Sequence, residues 1–262
     1  MKKVCYILLI MFGSCEERTD WSLDGTDSGI LVVDGSISNE RTNHLVKLSL
    51  SNQFSNEGLQ PATGATVIIT DGQDNVPLTE IPAGSGFYYT PIFQAVIDKQ
   101  YILYIAYQGA EYFAADQAEP VEPLTPIKIF PVTDTTRVIV PQGTSQRSLT
   151  KHIMSWSHTP YCQPADTCFA KYNFYDLQTV DVNELFKPNK DPVLFPPTTI
   201  IVRKKYSLSQ LYREYLRSVL SETEWRGSSF DVQPGNIESN VSNGALGFFS
   251  VSMVDSDTTI SF

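Results

Sequence analysis

Two cysteines near the middle of the chain carry its clearest chemistry. Cys162 and Cys168 enclose Gln163-Pro164-Ala165-Asp166-Thr167. In an exported chain, two cysteines bounding a proline-containing loop point to a disulfide. A loop this short removes modest unfolded-state entropy, so the bond contributes about 2–3 kcal/mol. Zinc would need three or four ligands, and the nearest histidines, His152 and His158, stand upstream without ligand spacing. Neither they nor His44 adjoins a Ser or Cys in a nucleophile elbow. Asp231, Glu238 and Asp255 are the carboxylates an acid–base hydrolase would draw on. The acidic runs 71–74 and 255–257 are the places for calcium, but neither follows an EF-hand pattern, and turn-forming Asp accounts for both. Gly84-Ser85-Gly86 precedes a strand without the helix or Lys of a phosphate loop and reads as a hairpin loop. Trp21, Trp156 and Trp225 could stack on sugars, although in β folds such rings mostly pack in cores. These residues predict no catalytic constellation, no cofactor and no metal site.

The N-terminus carries an address. Met1-Lys2-Lys3 is followed by an apolar run from Val4 to Phe12, far short of the roughly 20 residues a membrane-spanning helix needs. It reads as a signal-peptide core. Phe12-Gly13-Ser14-Cys15 resembles the lipobox of bacterial lipoproteins, with Phe12 where Leu is commoner. The resemblance implies acylation of Cys15, and more than one acyl chain meets the requirement for stable anchoring. Glu16 and Glu17 resemble the acidic surface-export signal of Bacteroidota lipoproteins, within a polar tether over residues 15–28. Cys5 leaves with the leader, residues 1–14.

The pattern along the rest of the chain is β. From Ile30 to Ala115, short alternating segments are punctuated by turn signals such as Asp71-Gly72 and Gln108-Gly109. This density predicts an immunoglobulin-like sandwich over residues 29–122. Tyr101, Tyr104 and Tyr107 do not share a face, which suits a strand covered on both sides. Pro120, Pro123 and Pro126 break helix and central strand alike and set the boundary near 122. Residues 123–262 predict a second β-rich domain, with strands at 127–130, 137–140, 151–156, 169–175 and 198–206 and a final hairpin of 246–254 with 258–262. One amphipathic helix interrupts it near 207–223. Leu208, Leu211, Tyr212, Tyr215, Leu216, Val219 and Leu220 form its apolar stripe, and Ser207 with Gln210 matches a capping box. The basic run Arg203-Lys204-Lys205 is expected at a strand end with its charges solvated. The Asn-rich passage Asn236, Asn240, Asn243-Gly244 is expected to be an ordered loop whose Asn side chains cap turns.

Three passages also carry a family likeness: Ile30-Leu31-Val32-Val33-Asp34-Gly35-Ser36-Ile37-Ser38-Asn39, the stretch from Pro61 to Asp71, and the Tyr-rich helix followed by Gly227-Ser228-Ser229-Phe230-Asp231, Pro234-Gly235-Asn236-Ile237 and Gly247-Phe248-Phe249-Ser250-Val251. The chain resembles the Bacteroidota outer-membrane lipoproteins of domain-of-unknown-function family 4249. The resemblance implies an outer-membrane lipoprotein often encoded beside a TonB-dependent transporter, and it implies no activity or cofactor. A formal charge of −10 and a pI near 4.7 exclude nucleic acid as a partner, because phosphate binding needs clustered Lys and Arg. The expectation is a non-catalytic accessory subunit, lipid-anchored at the cell surface beside an outer-membrane β-barrel transporter. A stand-alone glycan-binding or adhesion lipoprotein is the alternative, and a hydrolase the third class.

Overall fold

In the computed structural model, the described residues are 29–52, 58, 60–140, 147–163, 165–178, 182–185, 188, 191–227, 235 and 237–262. The architecture is mainly β, as the sequence predicts, and begins with a sandwich of two sheets. The first sheet combines β1 (Leu31–Ser38), β2 (Leu45–Leu50), β3 (Gln60–Pro61), β6 (Thr79–Glu80) and β7 (Phe87–Tyr89) with a strand from the far end of the chain, β15 (Leu246–Ser252). The facing sheet has the order β5-β4-β8-β9, from β4 (Thr66–Thr70), β5 (Asn75–Pro77), β8 (Gln100–Tyr107) and β9 (Ala110–Gln117).

Period-two alternation decides which residues make the core. Along β1, Leu31, Val33 and Ile37 point inward, meeting Val67, Ile69, Leu103 and Ile105 of the facing sheet. Each fully buried aliphatic or aromatic residue among them contributes about 1.5–3 kcal/mol of transfer free energy. On β8, Tyr101 is buried against this core, while Tyr104 lies on the other face and packs against Phe113 with ring centres 5.3 Å apart. The second face of β8 is thus half-covered.

The final strand corrects the expected domain limits. β15 pairs in parallel with β1, with Ser36 opposite Ser250 and Ser38 opposite Ser252. Phe249 and Val251 enter the first core. The sandwich is therefore not the contiguous unit 29–122, because it closes only when residues 241–253 return to it. Gly247 permits the approach: its φ is +96°, and a Cβ there would stand 1.9 Å from the Val33 carbonyl oxygen. The expected hairpin of 246–254 with 258–262 is likewise absent. β16 (Val254–Ile260) follows β15 after Met253 alone and pairs instead with β14 (Ile200–Ser207).

The second body is a sheet of order β13-β12-β14-β16, with β12 (Ser148–Ser155) and β13 (Phe169–Asp176) forming the other pair. One face is covered by residues 124–128 and by the small hairpin of β10 (Ile129–Pro131) with β11 (Arg137–Ile139); Ile139, Met154, Phe195 and Ile201 are buried there. A short turn of helix, α1 (Val182–Leu185), follows β13. The main helix, α2 (Gln210–Glu222), lies on the opposite face, where Leu216, Leu220 and Trp225 pack with Leu149 and Leu177. Ser209, not Ser207, caps it, its Oγ accepting from the Tyr212 N–H at 3.1 Å. Leu211 falls off the buried stripe and is 53% exposed.

Candidate functional site

Where α2 and the second sheet meet the first sandwich, they enclose a cleft of about 230 Å³. Alternation on two strands builds its floor. Among the residues of β1 and β15 that do not face the sandwich core are Ser36, Ser38, Ser250 and Ser252, and the parallel register sets them side by side as two hydroxyl pairs. The opposite wall comes from β12 and β14, through Leu149, Lys151 and Tyr206, with Tyr212 of α2 closing one end. Tyr212 and Tyr215 stack on Phe248 of β15, with ring centres 5.1 and 4.9 Å away. The helix thus has two apolar neighbours, the second sheet and the outer face of the first.

The electrostatics of the cleft are specific. Lys151 extends its Nζ to 4.7 Å from the centre of the Tyr206 ring, a cation–π contact, and among the described residues it has no carboxylate partner. Lys151 is an exposed residue, and partial desolvation by the cleft walls lowers its affinity for the proton, with Asp34 opposing. Lys204, by contrast, is satisfied by Glu40, Nζ to Oε1 2.6 Å. Burial pushes the Tyr206 phenol up to about 12, with Glu40 adding to the shift. The Tyr212 phenol lies well above its ordinary range, again chiefly through burial. At neutral pH both are hydroxyls, able to donate and accept. The arrangement can recognise a small hydroxylated solute, and its one unpaired ammonium can take a carboxylate.

The structure treats the other singled-out residues unequally. Cys162 and Cys168 form a disulfide with Cα atoms 5.7 Å apart, in the loop between β12 and β13 and outside the cleft lining. Cys15, Glu16, Glu17, Trp21, Asp231 and Asn236 lie outside the described residues. Trp225 is 3% exposed in the core beneath α2 and offers no sugar platform, while Trp156 is half-buried against the cluster of Ile139, Met154, Phe195 and Ile201. Glu238 is exposed. Asp255 accepts from the Leu124 N–H at 2.7 Å, and Asp257 is paired with Arg203. Asp71 is occupied by its own turn, taking the Gln73 and Asp74 N–H groups and Lys99. Among the described residues, no three metal-ligating side chains cluster. Asn240 does more than cap a turn, since it donates to the Ala115 and Phe249 carbonyls and accepts from the Phe249 N–H.

The basic run is the clearest misreading. Arg203 and Lys205 are buried, on the face of β14 under the linker, while Lys204 points to the cleft side. Arg203 makes a bidentate pair with Asp257 and donates to the Thr125 carbonyl. Lys151, Tyr206 and the paired serines were not singled out by the sequence. The β1–β15 partnership brings the serines together, and the β12–β14 register sets Lys151 beside Tyr206.

No curated protein matches the chain. Among solved structures, it is similar to the FN1–FN3 domains of chicken CNTN1, at 11% identity and a TM-score of 0.28, covering 71% of this chain and 61% of that one. The model of the domain of unknown function DUF4249 matches residues 16–258, and the chain belongs to that family.

Proposed function

We propose that the protein is a non-catalytic ligand-binding lipoprotein, anchored through Cys15 in the outer membrane, facing the cell surface, and serving as an accessory subunit of a TonB-dependent transporter. The observation that carries the binding role is the Lys151 ammonium over Tyr206 in a cleft lined by serine and tyrosine hydroxyls, where the Glu40 carboxylate of the same lining is taken up by Lys204. The cleft volume is below the roughly 300–1,000 Å³ of pockets for drug-sized ligands. It suits one sugar-acid residue, with the carboxylate at Lys151 and ring hydroxyls at the serine pairs. The lipobox-like Phe12-Gly13-Ser14-Cys15 and the following Glu16-Glu17 support the anchored, surface-facing part. Acylation would raise the protein's effective concentration beside a barrel in the same membrane.

The test is affinity purification of the full lipidated chain in mild detergent, followed by titration with glucuronate and glucose. Co-purification of a β-barrel transporter and preferential binding of glucuronate support the reading. Absence of a barrel together with retained sugar binding would favour a stand-alone glycan-binding lipoprotein. Failure to bind either sugar would remove the role given to the cleft.

A further inference from the structure

A second, smaller cavity lies beneath the proline-rich linker. It has a volume of about 40 Å³, between residues 124–128 on one side and Thr150, His152, Arg203 and Lys205 on the other. Strand alternation puts these side chains together. His152 stands opposite Arg203 in the β12–β14 register, and Thr150 opposite Lys205, so all four share the face that the linker covers. The charged groups on the wall are Arg203, Lys205 and, at the linker, Lys128; no carboxylate lines it. That is a concentration of positive charge in a chain of formal charge −10.

Arg203 is already committed to Asp257 and to the Thr125 carbonyl. Lys205 is not. Its side chain is 1% exposed, and the Glu122 carboxylate stands 3.9 Å from its Nζ, beyond hydrogen-bond distance. No hydrogen bond of this ammonium exists among the described residues. His152 is 4% exposed, and its Nδ1 is buried without a partner. An ammonium has three protons to donate, and burying a charge without hydrogen bonds costs several kcal/mol. A ligand that accepts from Lys205 and from an Nδ1–H would remove both deficits.

We propose that this cavity binds a monovalent anion of halide size, held by Lys205 Nζ with His152 Nδ1–H and the Thr150 hydroxyl around it. A water-sized particle needs about 10–15 Å³ of cavity on this measure, so the cavity has room for one small ion together with water. Arg203 lowers the basicity of the His152 ring by more than Asp257 raises it, on top of the effect of burial. Asp255, Asp257 and Glu122 balance the cations from outside the wall, which leaves the inward side of Lys205 for the ion. The ion would join the linker to the sheet, because residues 124–128 form the opposite wall.

The test uses the full chain in detergent. Its thermal unfolding is followed in sodium chloride and in sodium gluconate at matched ionic strength, and crystals are grown from sodium bromide. Chloride, but not gluconate, should raise the midpoint by about 3 °C with saturation, and Lys205→Met should abolish the difference. Bromide should give an anomalous peak within hydrogen-bond distance of Lys205 Nζ. Equal midpoints in the two salts overturn the proposal. So does a bromide map with no peak in the cavity, or with peaks only on the surface as an adventitious ion only. The map is made on the unsubstituted chain, so it decides even if Lys205→Met does not fold.

Discussion

Ser207 and Met253 hold each other at the point where the chain changes sheets. The Met253 N–H donates to Ser207 Oγ at 2.9 Å, and the Ser207 N–H donates to the Met253 carbonyl at 2.9 Å. Both residues are buried. Met253 is the single residue between β15, which belongs to the first sandwich, and β16, which belongs to the second sheet. The pair therefore fixes the angle between the two bodies, and with it the width of the cleft. Within the first sandwich, Asp116 of β9 ties β15 to the facing sheet, its Oδ2 accepting from the Val251 N–H at 2.8 Å.

Ser207→Ala should leave the Met253 N–H buried without its acceptor. The expected cost is about 1–3 kcal/mol, read as a lower urea midpoint with an unchanged slope. An unchanged midpoint would mean that the staple adds nothing.

Gly247→Ala should be more severe. The added Cβ would overlap the Val33 carbonyl, and the positive φ is strained for any L side chain. A loss of about 3 kcal/mol or more is expected, seen as poor yield of folded protein or a large drop in the melting midpoint. Near wild-type stability would contradict the β1–β15 pairing at this position.

Much of this fold was legible in the sequence, because its strands and helix are each built on local periodicity. The strands from 151, 169 and 198 onward and the helix from 210 all stand close to where alternation or the 3-and-4 spacing puts them. The return of β15 was not legible. Its parallel pairing spans more than two hundred residues, and a run of Phe248, Phe249, Ser250 and Val251 carries no mark of which strand it will join. The turn-like Asp255-Ser256-Asp257 suggested a hairpin, but both carboxylates are strand residues that fasten the linker and Arg203. Arg203-Lys204-Lys205 was misread for a related reason: a cluster of charge implies solvent only until alternation divides it between two covered faces. The cleft depended on both errors, so its residues stayed hidden.

His152 makes the second sheet sensitive to acid. Burial, with a smaller effect from Arg203, lowers its folded pKa from 6.5 to about 4. Between those values the unfolded chain binds a proton that the folded chain excludes, so stability rises with pH across that window and is lost as pH falls from about 6.5 towards 4. The group should contribute up to about 3 kcal/mol over this range. The buried Asp116 carboxyl is shifted upward by burial, and its contribution has the opposite sign, present at low pH and lost as pH rises through its folded value. Urea midpoints measured from pH 4 to pH 7 should flatten in His152→Phe, whose ring can keep the stack on Tyr172. An identical slope in the variant would assign the acid sensitivity elsewhere.

The cleft yields the prediction most closely tied to function. Lys151→Met keeps a long apolar stem against the Tyr206 ring while removing the ammonium, so the fold should survive with a loss of about 0.5–1 kcal/mol from the cation–π contact. Glucuronate binding should weaken about tenfold, the equivalent of one charge-assisted hydrogen bond of about 1.4 kcal/mol, while weak glucose binding stays the same. Ser250→Ala should act differently. It removes a hydroxyl from the cleft floor near Tyr212, so both sugars should lose affinity together. Isothermal titration of the two variants separates a charge-reading site from a hydroxyl-reading one. If Lys151→Met lowers affinity for both sugars equally, the lysine supports the cleft wall and does not read the carboxylate.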